Sequence, residues 1–242
     1  MIPAVSRLVP AALVVAGLFA ADASARAQSR AEMVDTALVL AVDVSGSVNG
    51  ERFELQMEGI ARAFEDAAVQ AAMTSGPHRA IFVTLVEWSN RPAVSVPWTL
   101  IAGGEDARAF AERIRRAPRA DNQFTCMAAS LGLIAGKVLP FLPVPAERTI
   151  IDVSGDGRDN CNPQKPVDAV RDDLVGADVT INGLPILEGD EAETLTPWYR
   201  DHVIGGRGAF LLPAHGFRDF GRAMREKFIV EISRASAAVG GG

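Results

Sequence analysis

Histidine and the common catalytic motifs are scarce in this sequence. Only three histidines occur among 242 residues, at scattered positions His78, His202 and His215, and none forms a zinc-binding pair with another. The sequence also lacks the Gly-x-Ser-x-Gly nucleophile elbow and the Gly-x-x-x-x-Gly-Lys phosphate loop. With no convincing catalytic constellation, we predict that the protein is not an enzyme.

Long apolar runs are also scarce. The run from Leu8 to Ala21 spans about fourteen residues, fewer than the roughly twenty that cross a bilayer as a helix. Arg7 precedes it, and small residues that favour cleavage after Ala25 or Ala27 follow it. We interpret residues 1–27 as a signal peptide, with an uncleaved membrane anchor as the alternative. No later run is as long without charges, so the mature chain is expected to be soluble and periplasmic or secreted.

Positive charge is not in excess. The formal net charge is −6, and removal of Arg7, Arg26 and Asp22 with the signal peptide changes it to −7. An acidic exported protein is a poor candidate for binding nucleic acid. Export also bears on the two cysteines, Cys126 and Cys161, because an even number in an oxidising compartment favours a disulfide. Two buried free thiols are the alternative.

Strand and helix patterns alternate along the rest of the chain. Apolar runs such as "TALVLAVDVS" indicate strands buried on both faces, and most of the strands are followed by a helical pattern. Pro97 predicts an edge strand in "RPAVSVPWTLI", paired antiparallel with its neighbour. We therefore predict an α/β fold with a doubly wound, mainly parallel six-stranded sheet, one antiparallel edge strand and helices on both faces. One of the six predicted strands is the short segment "GAFLLPA". We predict that residues 31–235 form a single domain and that residues 236–242 form a flexible tail.

Oxygen-bearing side chains follow two of the predicted strands. Asp43, Ser45 and Ser47 follow the first strand in "DVSGSV", and Asp156 follows the strand in "TIIDVS". Ligands of such sheets bind beyond the carboxyl ends of the strands. Carboxylates and hydroxyls are the ligands of hard cations, which indicates a Mg²⁺ site, with Mn²⁺ and Ca²⁺ as alternatives. The competing interpretation of the Asp-x-Ser-x-Ser pattern is a turn that caps a helix.

These motifs resemble the metal-ion-dependent adhesion site of von Willebrand factor type A domains. Asp43, Ser45 and Ser47 match the family's Asp-x-Ser-x-Ser pattern, and Asp156 matches its aspartate before glycine after the fourth strand. The resemblance places the family's threonine ligand at Thr125, because Ser130 and Leu131 stand five and six positions later. It covers almost the whole mature chain and implies this family's α/β fold.

The resemblance also implies a function and a disulfide. In this family a carboxylate of a partner protein, usually Glu or Asp, completes the coordination of the cation. We therefore expect an exported, metal-dependent protein-binding module for adhesion or assembly. Cys126 and Cys161 adjoin the two metal-site loops, so the fold implies that they pair. The alternatives are a metal-dependent hydrolase or phosphatase that uses Asp43, and a structural domain that has lost metal binding.

Overall fold

Five strands and seven α-helices are formed within residues 32–119, 123–161 and 165–239, the part of the chain that the computed structural model describes. They belong to one compact unit that spans Met33–Gly242. The strands are Thr36–Asp43 (β1), Ile81–Trp88 (β2), Ala93–Ile101 (β3), Thr149–Gly155 (β4) and Val179–Pro185 (β5). The helices are Gly50–Glu65 (α1), Ala67–Met73 (α2), Gly104–Arg115 (α3), Met127–Leu133 (α4), Val167–Gly176 (α5), Ala192–Trp198 (α6) and Phe220–Val239 (α7). Single π-helical turns, Ile134–Val138 and Tyr199–Val203, extend α4 and α6.

The strands form one sheet in the order β3-β2-β1-β4-β5. Only the pairing of β2 with β3 is antiparallel, and the other three pairings are parallel. The predicted α/β fold is confirmed, and β3 with Pro97 lies at the edge as expected. The chain moves outward from β1 on one side and returns to pair β4 with β1 on the other. This reversal places a crevice beyond the carboxyl ends of β1 and β4.

The sheet has five strands rather than the predicted six, because residues 208–214 do not form a continuous ladder. Gly205 makes an antiparallel bridge to Ile181 of β5, whereas Leu211 makes an isolated parallel bridge to Gly183 of β5 and Ala214 makes one to Ile186, just after β5. The segment thus changes its direction relative to β5 over a few residues. Pro213 also lacks a backbone N–H with which to extend the pairing.

Helices cover both faces of the sheet, and β1 is buried between them. Leu38, Leu40 and Val42 belong to the apolar core under α1, α3 and α7, while Val39 and Ala41 belong to the core on the opposite face. Successive side chains of a strand point to opposite faces. The unbroken apolar run of β1 is therefore the consequence of two cores, as the sequence predicted.

Helix α1 begins directly after the Asp-x-Ser-x-Ser motif. Asn49 caps it, since its side-chain oxygen accepts a hydrogen bond from the Arg52 amide at 3.0 Å. At the other end of the chain, α7 continues through Val239, so residues 236–239, assigned to the tail by the sequence, are helical. The predicted signal peptide lies outside the described residues. Within those residues, no helix combines the length and apolar character needed to span a membrane.

Candidate metal centre

Asp43 is the last residue of the central strand and is completely buried. Its Oδ1 accepts a hydrogen bond from the Ser45 amide at 2.8 Å, and its carbonyl accepts one from Gln56 Nε2 at 3.1 Å. Its other carboxylate oxygen, Oδ2, has no hydrogen-bond partner among the described residues. A buried carboxylate oxygen without a donor is costly, so this atom indicates a missing positive partner.

The two serines connect Asp43 to the second predicted carboxylate. Ser45 Oγ lies 3.2 Å from Ser47 Oγ, which donates to Asp156 Oδ1 at 2.7 Å. Asp156 follows β4, which pairs directly with β1. Ser47 therefore binds the carboxylate of the neighbouring strand, and Asn49 instead caps α1. The structure thus brings together four of the predicted site residues, although Ser47 and Asp156 are 109 positions apart.

The negative charges of Asp43 and Asp156 repel each other, so each makes the ionised form of the other less stable. Burial raises the pKa of Asp43 to about 7, and the negative charge of Asp156 adds to this shift. Burial also raises the pKa of Asp156, which the hydrogen bond from Ser47 and the charge of Arg52 partly oppose. Two nearby carboxylates in a desolvated crevice are stabilised together by a cation.

Thr125 lies beside the same crevice. It is buried, and its Oγ1 would be 3.8 Å from a Cβ built on Gly157, the residue after Asp156. Its backbone is paired with Asn160: the Thr125 amide donates to the Asn160 side chain, and the Asn160 amide donates to the Thr125 carbonyl, both at 2.9 Å. No hydrogen bond among the described residues uses the Thr125 hydroxyl. In the part of the chain that the structure describes, this hydroxyl thus has no competing partner.

A disulfide joins the two loops that carry Thr125 and Asp156. Cys126 and Cys161 are bonded, with their Cα atoms 5.0 Å apart, as the family resemblance implied. Asp159 reinforces the connection, because one of its oxygens accepts from the Ala128 amide at the start of α4 and the other from the Cys161 amide. The loops are thus held together by one covalent bond and several hydrogen bonds.

Sequence reasoning missed Arg52 and Glu188. Arg52 Nη1 donates to the Ser47 carbonyl at 2.6 Å and lies 3.7 Å from Asp156 Oδ2, while Nη2 forms an ion pair with Glu188 at 2.7 Å. Arg52 stands in the first turn of α1, where its position could have suggested proximity to the motif. No local pattern relates it to Glu188, which is 136 positions away.

Glycines at two positions allow the close contacts of the site. A Cβ on Gly155 would lie 2.8 Å from Asp43 Oδ2 and 2.8 Å from the buried Trp88 ring. A Cβ on Gly46 would lie 3.0 Å from the Gln123 carbonyl, which accepts from the Gly46 amide at 3.2 Å. Gly46 thus allows the loop that carries Ser45 and Ser47 to pack against the segment that leads to Thr125.

The donor set fits a hard divalent cation. Among the described residues, no group of three or more His, Cys, Asp or Glu side chains could hold a metal ion. Asp43 and Asp156 supply two carboxylates, and Ser45, Ser47 and Thr125 add hydroxyls around an unpaired carboxylate oxygen. Two carboxylates with hydroxyls and water resemble the oxygen sites of Mg²⁺ more than the nitrogen and sulfur sites of zinc.

Solved structures share this fold at low sequence identity. Proximal thread matrix protein 1 (PTMP1) from the mussel byssus is 14% identical, with a TM-score of 0.60 over 83% of this chain and 47% of that chain. A second PTMP1 structure, described as having a zinc-occupied MIDAS motif, is 14% identical, with a TM-score of 0.61 over 82% of this chain and 46% of that chain. The present chain therefore spans about half the length of PTMP1.

A bacterial structure matches over most of both chains. The vWF domain of the type V pili tip protein Mfa5 from Porphyromonas gingivalis is 10% identical, with a TM-score of 0.60 over 84% of this chain and 96% of that domain. Comparison with curated protein sequences gives no match. Residues 33–236 match the family described as "Protein of unknown function (DUF1194)". The chain belongs to this family, and its fold is that of a von Willebrand factor type A domain.

Proposed function

We propose that the protein is an exported module that binds a partner protein through a divalent cation. The observation that carries the proposal is the fully buried Asp43 carboxylate, whose Oδ2 has no donor although a second carboxylate lies in the same crevice. The hydrogen bonds of this site do not compensate the charges of the two carboxylates, whereas a divalent cation would compensate both.

Asp43, Ser45, Ser47, Thr125 and Asp156 would hold the cation, which would offer a Lewis-acidic position to an incoming anion. Mg²⁺ is the proposed ion, because every donor is a hard oxygen. Mn²⁺, Ca²⁺ and Zn²⁺ are the alternatives to compare, the last because zinc is named in the structure of PTMP1. The chain's own contribution is to keep the two carboxylates close and to hold the Thr125 loop against them through the disulfide.

The proposed partner group is a Glu or Asp carboxylate on another protein. The surroundings of the site support a macromolecular partner, because Phe124, next to Thr125, is 53% exposed. Exposed aromatic side chains are frequent anchors of protein interfaces. Arg52 adds a positive charge close to Asp156, where it favours the approach of an anionic partner.

We further propose that the protein binds without catalysing a reaction and that it acts outside the cytoplasm. The first proposal is supported by the structural neighbours, which are named as a byssal matrix protein and a pilus tip protein. The second is supported by the same neighbours and by the sequence of residues 1–27, which has the pattern of a signal peptide.

Affinity capture from the native envelope tests the proposal. The wild-type chain should retain a partner in Mg²⁺ and release it in chelator, while Asp43→Asn should retain none. Asp172→Asn, an exposed change on α5, serves as the control and should behave as the wild type. Capture that survives both chelator and Asp43→Asn would contradict the proposal. So would Mg²⁺-dependent turnover of generic phosphate or ester substrates that Asp43→Ala abolishes, since it would identify a hydrolase.

A further inference from the structure

A surface with positive and apolar side chains borders the candidate metal centre on the β2 side of the sheet. Trp88, the last residue of β2, is in register with Asp43, so the turn after β2 lies at the same end of the sheet as the site. In that turn, Asn90 Oδ1 accepts hydrogen bonds from the Gln123 amide at 3.1 Å and from the Phe124 amide at 3.4 Å. The turn is thus in contact with one of the loops that carry the proposed ligands.

The Asp-x-Ser-x-Ser loop joins the same surface. The Gly46 amide donates to the Gln123 carbonyl at 3.2 Å. Arg119 donates to the Val48 carbonyl through Nε at 3.1 Å and through Nη2 at 2.7 Å. We call this continuous surface the basic rim; it comprises residues 45–49, 89–94, 117–119 and 123–125.

The basic rim carries positive charge that the described part of the chain does not neutralise. Its residues include Arg91 and Arg119 but no Asp or Glu, and the intervening Asp121 lies outside the described residues. Neither guanidinium forms an ion pair with a carboxylate of a described residue, and Arg91 is exposed. The whole chain, in contrast, has a formal net charge of −6. Charge complementarity therefore favours an acidic partner segment at this position.

The other side of the crevice carries carboxylates. The loop after β5, the strand at the opposite edge of the sheet from β3, holds Glu188, Asp190 and Glu191 within four positions. Glu188 pairs with Arg52 at 2.7 Å, and Glu191 Oε2 accepts from the Arg158 amide at 3.0 Å. Positive charge on that side thus has carboxylates of the chain itself beside it. An acidic segment is therefore favoured on the basic rim rather than beside the loop after β5.

Exposed apolar side chains lie within the basic rim. Phe124 is 53% exposed and Val94, four residues after Asn90, is 44% exposed. Aromatic and arginine side chains are enriched at protein interfaces. A purely structural role, in which hydrogen bonds connect the loops, explains Asn90 and Arg119. It leaves the Phe124 and Arg91 side chains exposed without a function.

We propose that the basic rim binds a partner segment that carries two acidic residues with an apolar residue between them. One carboxylate completes the cation, the apolar side chain packs against Phe124, and the second carboxylate accepts from Arg91. This order follows from the position of Phe124 between Thr125 and the turn that carries Arg91. The inference rests on the proposed function, and it adds which side of the crevice the partner occupies and what its sequence contains.

Selection from a random peptide library tests the proposal. Peptides displayed on phage are bound to the purified, immobilised chain in Mg²⁺ and eluted with chelator. The eluted peptides should be enriched in sequences with two acidic residues on either side of an apolar one. In a synthetic copy of an enriched peptide, glutamine in place of the acidic residue that completes the cation should abolish binding. Glutamine in place of the other should weaken it about twofold to fivefold.

Variants then locate the peptide on the basic rim. In Arg91→Gln, glutamine in place of the second acidic residue should have no further effect, because the contact is already lost. Phe124→Ala should weaken peptide binding at least about fivefold. Arg62→Gln is the control, since it removes the same charge about 18 Å further along α1, and it should leave peptide binding unchanged.

The possible failures are distinguishable. Enrichment of peptides with a single acidic residue, or unchanged peptide affinity in Arg91→Gln or Phe124→Ala, would overturn the inference and leave metal-dependent binding intact. Mn²⁺ titration of the same variants is the companion measurement, and a loss of peptide binding matched by an equal loss of Mn²⁺ binding would also overturn it. A selection that yields no chelator-eluted peptide would contradict the proposed function itself, and the inference with it.

Discussion

At the residue scale, the central feature of the site is the buried Asp43 carboxylate, in which one oxygen has no hydrogen-bond donor among the described residues. The strand before it buries the residue between two cores, and the turn after it satisfies only Oδ1 through the Ser45 amide. Asp156 then places a second carboxylate in the same crevice. The motif positions the carboxylate, and the fold then excludes water from it and leaves Oδ2 without a donor.

Arg52 competes with the proposed cation for Asp156. Its guanidinium lies 3.7 Å from Asp156 Oδ2, so a divalent ion at the site experiences repulsion from it. We predict that Arg52→Gln strengthens Mn²⁺ binding about threefold to tenfold, a modest gain because Arg52 is partly exposed to solvent. Calorimetry measures the change. Arg62→Gln is the control, since Arg62 is also on α1 and forms an ion pair with Glu58. Weaker Mn²⁺ binding in Arg52→Gln would contradict the prediction.

At Gly155 the site has no room for a side chain. Because a Cβ there would lie 2.8 Å from both Asp43 Oδ2 and the Trp88 ring, Gly155→Ala should lower the free energy of unfolding by about 1–3 kcal/mol. Urea denaturation measures this loss. Gly132→Ala is the matched control, since nothing lies within 4 Å of its Cβ in α4, and it should be neutral or stabilising by up to about 1 kcal/mol. Equal stability of the two variants would show that the contact at Gly155 relaxes at no cost.

The sequence predicted those site residues that belong to recognisable strand-end patterns. Asp43, Ser45 and Asp156 follow apolar runs, so their convergence follows from the parallel sheet. Arg52 and Glu188 were not predicted, because their ion pair depends on how α1 meets the loop after β5. Such contacts are set by tertiary packing and leave no local signal.

At the scale of the elements, the sequence predicted most strands and helices but also one strand that does not form. Apolar runs and helical periodicity identified the five strands and the principal helices, because burial on one or two faces imposes those periods. The predicted sixth strand was wrong, since the apolar residues of "GAFLLPA" pack beside β5 through isolated bridges instead of a ladder. An apolar composition alone therefore does not specify whether a segment pairs as a strand.

The disulfide between Cys126 and Cys161 connects the start of α4 to the loop after β4. Replacing both cysteines with serine should lower the free energy of unfolding by about 2–4 kcal/mol, since the bond closes a loop of 35 residues. It should also weaken cation binding, because the Thr125 and Asp156 loops lose their covalent connection. Urea denaturation and Mn²⁺ titration measure the two effects. Free thiols in the denatured, unreduced wild type would contradict the account, as would unchanged stability of the double variant.

At the scale of the whole molecule, we predict that the protein is exported, which is consistent with its acidic charge, its paired cysteines and the proposed partner. Cleavage after Ala25 or Ala27 would give a mature chain that begins at Arg26 or Gln28. Intact-mass spectrometry of the protein recovered from the periplasm or the medium should find one of these two chains. Recovery of the uncleaved chain in the membrane fraction would instead identify an anchor and contradict this prediction.

The central proposal for the whole molecule is that the crevice between β1 and β4 holds a divalent cation. Calorimetric titration of Mg²⁺ and Mn²⁺ into the purified wild-type chain and into Asp43→Asn tests it most directly. The account predicts one saturable site per chain in the wild type, no such site in Asp43→Asn, and an unchanged site in the Asp172→Asn control. A wild type that binds no cation saturably, or an Asp43→Asn variant that binds as the wild type does, would contradict it.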